Sequence, residues 1–145
     1  MEIIAAEKKD LAALTELAQK LWPGHLVEEL EADLAQIQAK EDAVFFLAKD
    51  GGCFIGFAQC QLRRDYVEGT ESTPVGYLEG IYTEEACRGN GVARALLAAC
   101  EDWARVQGCQ EFASDCELEN TGSLQFHLNM GFAETNRIIC FTKKL

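Results

Sequence analysis

The stretch Arg88-Gly89-Asn90-Gly91-Val92-Ala93 lies between a strand-like apolar run and a helix-like one. Two glycines this close, at the mouth of a helix, leave a row of backbone N–H groups open. Such a row is a natural seat for a pyrophosphate. A strand–loop–helix unit at the centre of a mixed α/β domain is therefore expected, with a nucleotide-type cofactor at the loop. The helix after the glycines is the clearest element of the chain. Val92, Leu96, Ala99, Trp103 and Val106 step by four, three, four and three, which is helical spacing. Gly108 ends that helix.

The remaining elements follow from periodicity and punctuation. Met1 to Ala6 reads as a short strand, residues 8 to 21 and 26 to 39 as helices, and Pro23-Gly24 as the stop between them. Val44 to Ala48 and Cys53 to Arg63 read as strands around the turn Asp50-Gly51-Gly52. Residues 65 to 74 are polar and turn-rich, hence a loop, and Val75 to Tyr82 is a third strand of that sheet. Glu111 to Asp115 reads as a strand, Asn120 to Met130 as a helix and Phe132 to Leu145 as a final strand pair. The acidic run Glu28, Glu29, Glu31 and Asp33 is a solvated helix face.

A chain of 145 residues with 48% hydrophobic residues suits one domain, residues 1 to 145, with a sizeable core. No apolar run approaches the roughly 18 residues of a membrane span. The N-terminus lacks the basic-then-apolar layout of a signal peptide, so a cytoplasmic location is expected. Seven cysteines, none in a C-x-x-C pair, read as reduced and buried thiols, with neither a disulfide framework nor a metal site. The net charge of −11 argues against nucleic acid and favours a cationic small molecule or basic peptide.

Two common phosphate loops do not fit. A Rossmann loop finds an acid in Glu111, about 20 residues past Gly91, but its third glycine position is Arg94 and Thr83 to Cys87 separate the strand from the glycines. A P-loop needs a Gly-Lys-Ser/Thr that is not there. Arg88-x-x-Gly91-x-Ala93 instead resembles the acetyl-CoA signature of the GNAT-superfamily N-acetyltransferases. The resemblance covers nearly the whole chain, including the strand before the loop, Asn120 and Gly131-Phe132. It implies a GNAT fold, a mixed central sheet flanked by helices, with acetyl-CoA in the splay between two parallel strands. It also implies that the loop from Arg88 through Gly89, Asn90, Gly91 and Val92 to Ala93 holds the CoA pyrophosphate. The backbone of Ile81 and Tyr82 would run beside the pantetheine, and Asn120 would face the cofactor.

Four further fragments, Leu21-Trp22-Pro23-Gly24-His25, Arg64-Asp65-Tyr66-Val67, Leu78-Glu79-Gly80-Ile81 and Ala113-Ser114-Asp115, together resemble the aminoglycoside 6′-N-acetyltransferases. That resemblance implies an aminosugar acceptor lined by Trp22, His25, Tyr66, Glu79 and Asp115, with Asn136 where related enzymes can have another acid. It also implies a homodimer, to which the apolar final segment contributes and in which Tyr66 can serve the neighbouring subunit.

Acetyl transfer to an amine needs a free lone pair. Freeing an alkyl ammonium at neutral pH costs roughly 4 kcal/mol, from a reference pKa near 10.4. A carboxylate can take that proton, and Glu79 and Asp115 are placed for it if their strands are adjacent. A backbone N–H near Ile81 or Tyr82 is the expected oxyanion donor, and Gly80 permits a bulge there. Many GNAT members have a tyrosine four residues before the Gly-Phe; here it is His127, which can protonate a departing thiolate. Each residue also has a plainer reading: Trp22 as a core residue at a helix stop, Asp115 as a turn cap, Asn120 as an N-cap. Two other functions fit the same loop, an acetyltransferase for another cationic amine (a polyamine, a protein N-terminus or a lysine) and a non-catalytic acyl-CoA-binding module. The acids at 79 and 115 argue against the module, which has no use for a base.

Overall fold

A computed structural model describes residues 1–145. The chain runs β1 (Glu2–Ala5), α1 (Leu11–Leu21), α2 (Val27–Gln38), β2 (Ala43–Asp50), β3 (Cys53–Arg63), β4 (Val75–Thr83), α3 (Val92–Val106), β5 (Phe112–Ser114) and α4 (Thr121–Asn129). The five strands form one sheet in chain order. All neighbours are antiparallel except β4 and β5, which the α3 crossover makes parallel. No helix is long and apolar enough to cross a membrane.

Strand alternation gives the sheet two apolar faces. Phe45, Leu47 and Phe57 pack under α1 and α2 with Leu14, Leu17, Leu30 and Leu34. Ala48, Ala58, Cys60 and Leu78 pack under α3 with Val92, Leu96, Leu97 and Cys100. A Cβ at Gly76 would lie 2.7 Å from both Ala104 Cβ and Phe112 Cδ2, so that glycine lets α3 and β5 close on β4.

Two irregularities of β4 make the site. Gln59 pairs with Gly80 and Cys60 with Leu78, which leaves Glu79 as an extra, unpaired residue. This is a β-bulge, at the position where Gly80 was expected to allow one. It lengthens the repeat on the α3 face, where Leu78 is followed by Ile81. Second, β5 pairs only with Gly76, Tyr77 and Leu78. From Glu79 onward, β4 has no strand on that side, and the two strands part.

Two expectations need correction. Residues 132–145 form no strand pair and, apart from Phe132, are exposed. A strand needs a ladder partner for its N–H and C=O groups, and this segment pairs with no strand of the sheet, whose β5 edge stays open. The cysteines are not uniformly buried: Cys60 and Cys100 are, Cys87 and Cys109 are half-buried, and Cys53, Cys116 and Cys140 are exposed. All seven are free thiols.

Candidate active site

The glycine loop closes onto α3 in the manner anion binding requires. Gly89 and Gly91 have φ of +81° and +80°, and a side chain at either would meet nothing within 4 Å. These left-handed turns are open to glycine at little cost. Gly91 is the N-cap of α3 and offers no side chain to its first turn. The N–H groups of residues 89 to 94 donate to no backbone acceptor. A run of free donors at the positive end of a 15-residue helix fits a pyrophosphate in charge and hydrogen-bonding chemistry. Val92 is buried beneath the loop. Asn90 folds back, its Nδ2 donating to the Cys87 carbonyl at 3.3 Å. Arg88 ties the loop to the end of β4, donating from Nε to the Thr83 carbonyl at 3.0 Å. The same strand end is anchored to α1 by the Lys20–Glu84 ion pair.

Where β4 and β5 part, four side chains form a continuous array. Arg63, the last residue of β3, donates from Nε and Nη2 to Glu79 Oε1 at 2.9 and 2.5 Å, and from Nη2 to Oε2 at 2.8 Å. Its guanidinium carbon lies 3.4 Å from the centre of the Tyr77 ring. The Tyr77 hydroxyl donates in turn to Asp115 Oδ2. Burial, and then the bond to Asp115, hold the Tyr77 phenol well above its ordinary pKa, so it stays a donor. Glu79 and Asp115, both expected from the sequence, are linked at the splay through Arg63 and Tyr77. Those two linking residues were not foreseen. A signal existed: Tyr77 and Glu79 are two apart in β4 and so share a face, and Arg63 ends the strand beside them.

His127 projects from α4 toward the end of β5. Its Nδ1 is 2.7 Å from the Ser123 carbonyl and its Nε2 is 2.8 Å from Ser114 Oγ. A carbonyl only accepts, so Nδ1 donates to Ser123, and the Ser114 hydroxyl also reaches the Leu78 carbonyl at 3.3 Å. Ser114 pairs with Leu78 in the last β4–β5 register position. Asn120 is the N-cap of α4, its Oδ1 accepting from the Ser123 N–H at 3.1 Å. The plainer reading of Asn120 therefore describes what its oxygen does.

The other expected residues are less concentrated. Trp22 packs edge-on against Phe57, with ring centroids 5.8 Å apart. A Cβ on Gly80 would lie 2.6 Å from its Cζ2, so the indole seals the back of the bulge. His25 is exposed in the α1–α2 turn and makes no side-chain hydrogen bond. Tyr66 is 81% exposed on the β3–β4 loop, and its hydroxyl donates to Glu68 at 2.6 Å. Val67 beside it is buried with Val75 and Tyr77, which fixes the loop over the array. Asn136 is exposed and accepts from its neighbour's N–H. It lies one residue from Thr135, which packs against Gly69 of the same loop. No group of three or more His, Cys, Asp or Glu side chains is gathered to hold a metal ion.

The fold and loop define a class that comparison with known proteins identifies. The acetyltransferase (GNAT) family model matches residues 11–132. Similarity to curated proteins extends over the whole chain. The aminoglycoside N(6′)-acetyltransferase type 1 of Serratia marcescens is 41% identical over 144 residues, 99% of each chain. That of Stenotrophomonas maltophilia is 44% identical over 142 residues, 97% of this chain and 91% of its own. The chain belongs to the GNAT acetyltransferase family and, within it, to the aminoglycoside 6′-N-acetyltransferases. Solved structures agree. AAC(6′)-Iy in complex with the bisubstrate analogue CoA-S-monomethyl-acetylneamine superposes with a TM-score of 0.95 at 40% identity, covering 99% of this chain and 98% of its own. Apo AAC(6′)-Ig of Acinetobacter haemolyticus gives 0.95 at 38% identity, covering 100% and 99%.

Proposed function

We propose that this protein is an acetyl-CoA-dependent aminoglycoside 6′-N-acetyltransferase that confers resistance to such drugs, working as a single-domain, cytoplasmic homodimer. One observation carries the reading: two carboxylates, Glu79 on β4 and Asp115 just past β5, are linked through Arg63 and Tyr77 where the strands part, beside a loop built for a pyrophosphate. Acetyl-CoA, held by the N–H groups of residues 89 to 94 and along the open edge of β4, supplies the thioester whose acetyl group is transferred. The chain's own residues handle charge and protons. Glu79 and Asp115 bind the acceptor ammonium, and Asp115, with one oxygen unengaged, takes its proton, which offsets the roughly 4 kcal/mol that deprotonation costs at neutral pH. A backbone N–H of Ile81 or Tyr82 stabilises the negative charge that develops on the carbonyl oxygen. His127, whose Nε2 lies 2.8 Å from the Ser114 hydroxyl at the strand end, supplies the proton that the departing thiolate takes. Trp22, His25, Tyr66 and Asn136 border the acceptor on its outer side, with both Tyr66 and Asn136 open to a second subunit.

The test is thiol release from acetyl-CoA in the presence of kanamycin, with the acetylated position read by NMR. Stoichiometric 6′-N-acetylkanamycin is the expected product. Binding of acetyl-CoA without thiol release on any aminoglycoside would overturn the acceptor assignment and leave the cofactor assignment standing. Release on polyamines or basic peptides alone would move the protein to another amine.

A further inference from the structure

Arg63 is the one charged member of the β4–β5 array without a part in the chemistry above. Two carboxylates alone would give the acceptor site two negative charges. Arg63 cancels one of them. It engages both oxygens of Glu79 through three bonds of 2.5 to 2.9 Å and sits over the buried ring of Tyr77. The Glu79 side chain is only 17% exposed and that of Arg63 41%, so solvent screens the pair incompletely. Asp115 differs. Its partner, the Tyr77 hydroxyl, is neutral and is held so by burial. Asp115 is also exposed, with its second oxygen unengaged. Glu79 and Asp115 look equivalent in the sequence, but only Asp115 presents an uncompensated charge.

We propose that Arg63 is a specificity-determining residue: by neutralising Glu79 it leaves Asp115 as the uncompensated carboxylate of the pair at the strand splay and thereby limits how steeply affinity rises with acceptor charge. The proposal rests on the aminosugar reading of that site. Without the guanidinium, a multiply charged aminosugar would meet two full charges. With it, binding depends more on shape and hydrogen bonding, and Glu79 serves as a fixed acceptor for hydroxyl or amine donors. The fork geometry and the ring stacking suit arginine for this place. A mere clamp between the end of β3 and the bulge would need the fork but would not alter charge preference.

The experiment compares R63M, which keeps the reach and loses the charge, with R63K, which keeps the charge and loses the fork. Calorimetry without cofactor gives Kd for multiply charged kanamycin and for singly charged 6-amino-6-deoxyglucose over a salt series. R63M is expected to shift the ratio of the two Kd values about tenfold toward kanamycin, from one charge a few ångströms away, and to steepen its salt dependence. R63K is expected to keep the wild-type ratio. An unchanged ratio in R63M, or an equal shift in R63K, would overturn the proposal and leave Arg63 a clamp. If R63M fails to fold, R63Q, which keeps hydrogen-bonding reach and loses the charge, is measured instead; a shift of the ratio toward kanamycin supports the proposal and an unchanged ratio overturns it. Wild-type protein that binds neither amine overturns the aminosugar reading itself. Wild type that binds both, with R63M unchanged, overturns only the role of Arg63.

Discussion

Asp115 holds one oxygen on Tyr77 and the other in solvent, and this division makes it the more exacting test of the chemistry. Asp115→Asn keeps an acceptor for the Tyr77 hydroxyl while removing the base. We expect kcat to fall about 100-fold, within the usual range for a general base, with the melting temperature little changed. An unaltered kcat would remove Asp115 from the chemistry. Gly80 tests packing instead. Gly80→Ala drives a methyl to 2.6 Å from Trp22 Cζ2 and 3.1 Å from Leu21 Cδ2. Overpacking of this kind costs about 1–3 kcal/mol, which urea denaturation will read as a lower midpoint. The sequence shows Glu79, Gly80 and Asp115 plainly, because acids in apolar strands and a glycine among them stand out. It does not show that Trp22 closes on Gly80. Nor does it show that Arg63 and Tyr77 join the acids, since both contacts depend on strand register and on where the bulge falls.

Among elements, the loop between β3 and β4 is held from outside itself. Glu111, just before β5, accepts through Oε1 from the N–H groups of Glu71 and Ser72, each at 2.8 Å, and from the Ser72 hydroxyl at 2.5 Å. These bonds, the hydroxyl first, hold the Glu111 carboxyl below its ordinary value near 4.5. A carboxylate with a depressed folded-state pKa stabilises fully above 4.5 and loses that contribution as pH falls through the folded value. Glu111→Gln is therefore expected to melt earlier than wild type at neutral pH, with the gap closing progressively below pH 4.5. It is also expected to raise amide exchange at residues 71 and 72 by about tenfold, as a local opening. A gap that stays constant with pH would show that the charge does not hold the loop. The loop itself, like the long amphipathic helices and the β2–β3 hairpin, was legible from its turn-rich composition. Its clamp was not, because Glu111 lies 40 residues from Glu71 and nothing local marks the pairing. Phe132 to Leu145 misled in the opposite way: β propensity was there, but a strand also needs a neighbour, and the segment takes none in this chain.

At the scale of the whole molecule, that unpaired segment and the charge of −11 pull in different directions. Like charge opposes association. Yet Ile138, Ile139 and Phe141 are 73, 81 and 87% exposed on a single chain, and the free side of β5 is an unprotected sheet edge of the kind that recruits strands. Burying one such side chain yields about 1.5–3 kcal/mol. Three per protomer, contributed twice by a two-fold pair, outweigh repulsion that salt at physiological strength screens beyond about 8 Å. Sedimentation velocity is expected to find a dimer that persists from low to high salt, because apolar burial and strand pairing are not screened. Replacing Ile139 and Phe141 together by Asp should give a monomer that still unfolds cooperatively, since neither residue packs in the core of its own chain. The monomer should also bind kanamycin more weakly if Tyr66 and Asn136 complete the acceptor site of a second subunit, and as tightly as the dimer if each chain's site is whole. A wild-type chain that sediments as a monomer at micromolar concentration would break the argument at its first step, because the exposed isoleucines would then have no second copy to cover them.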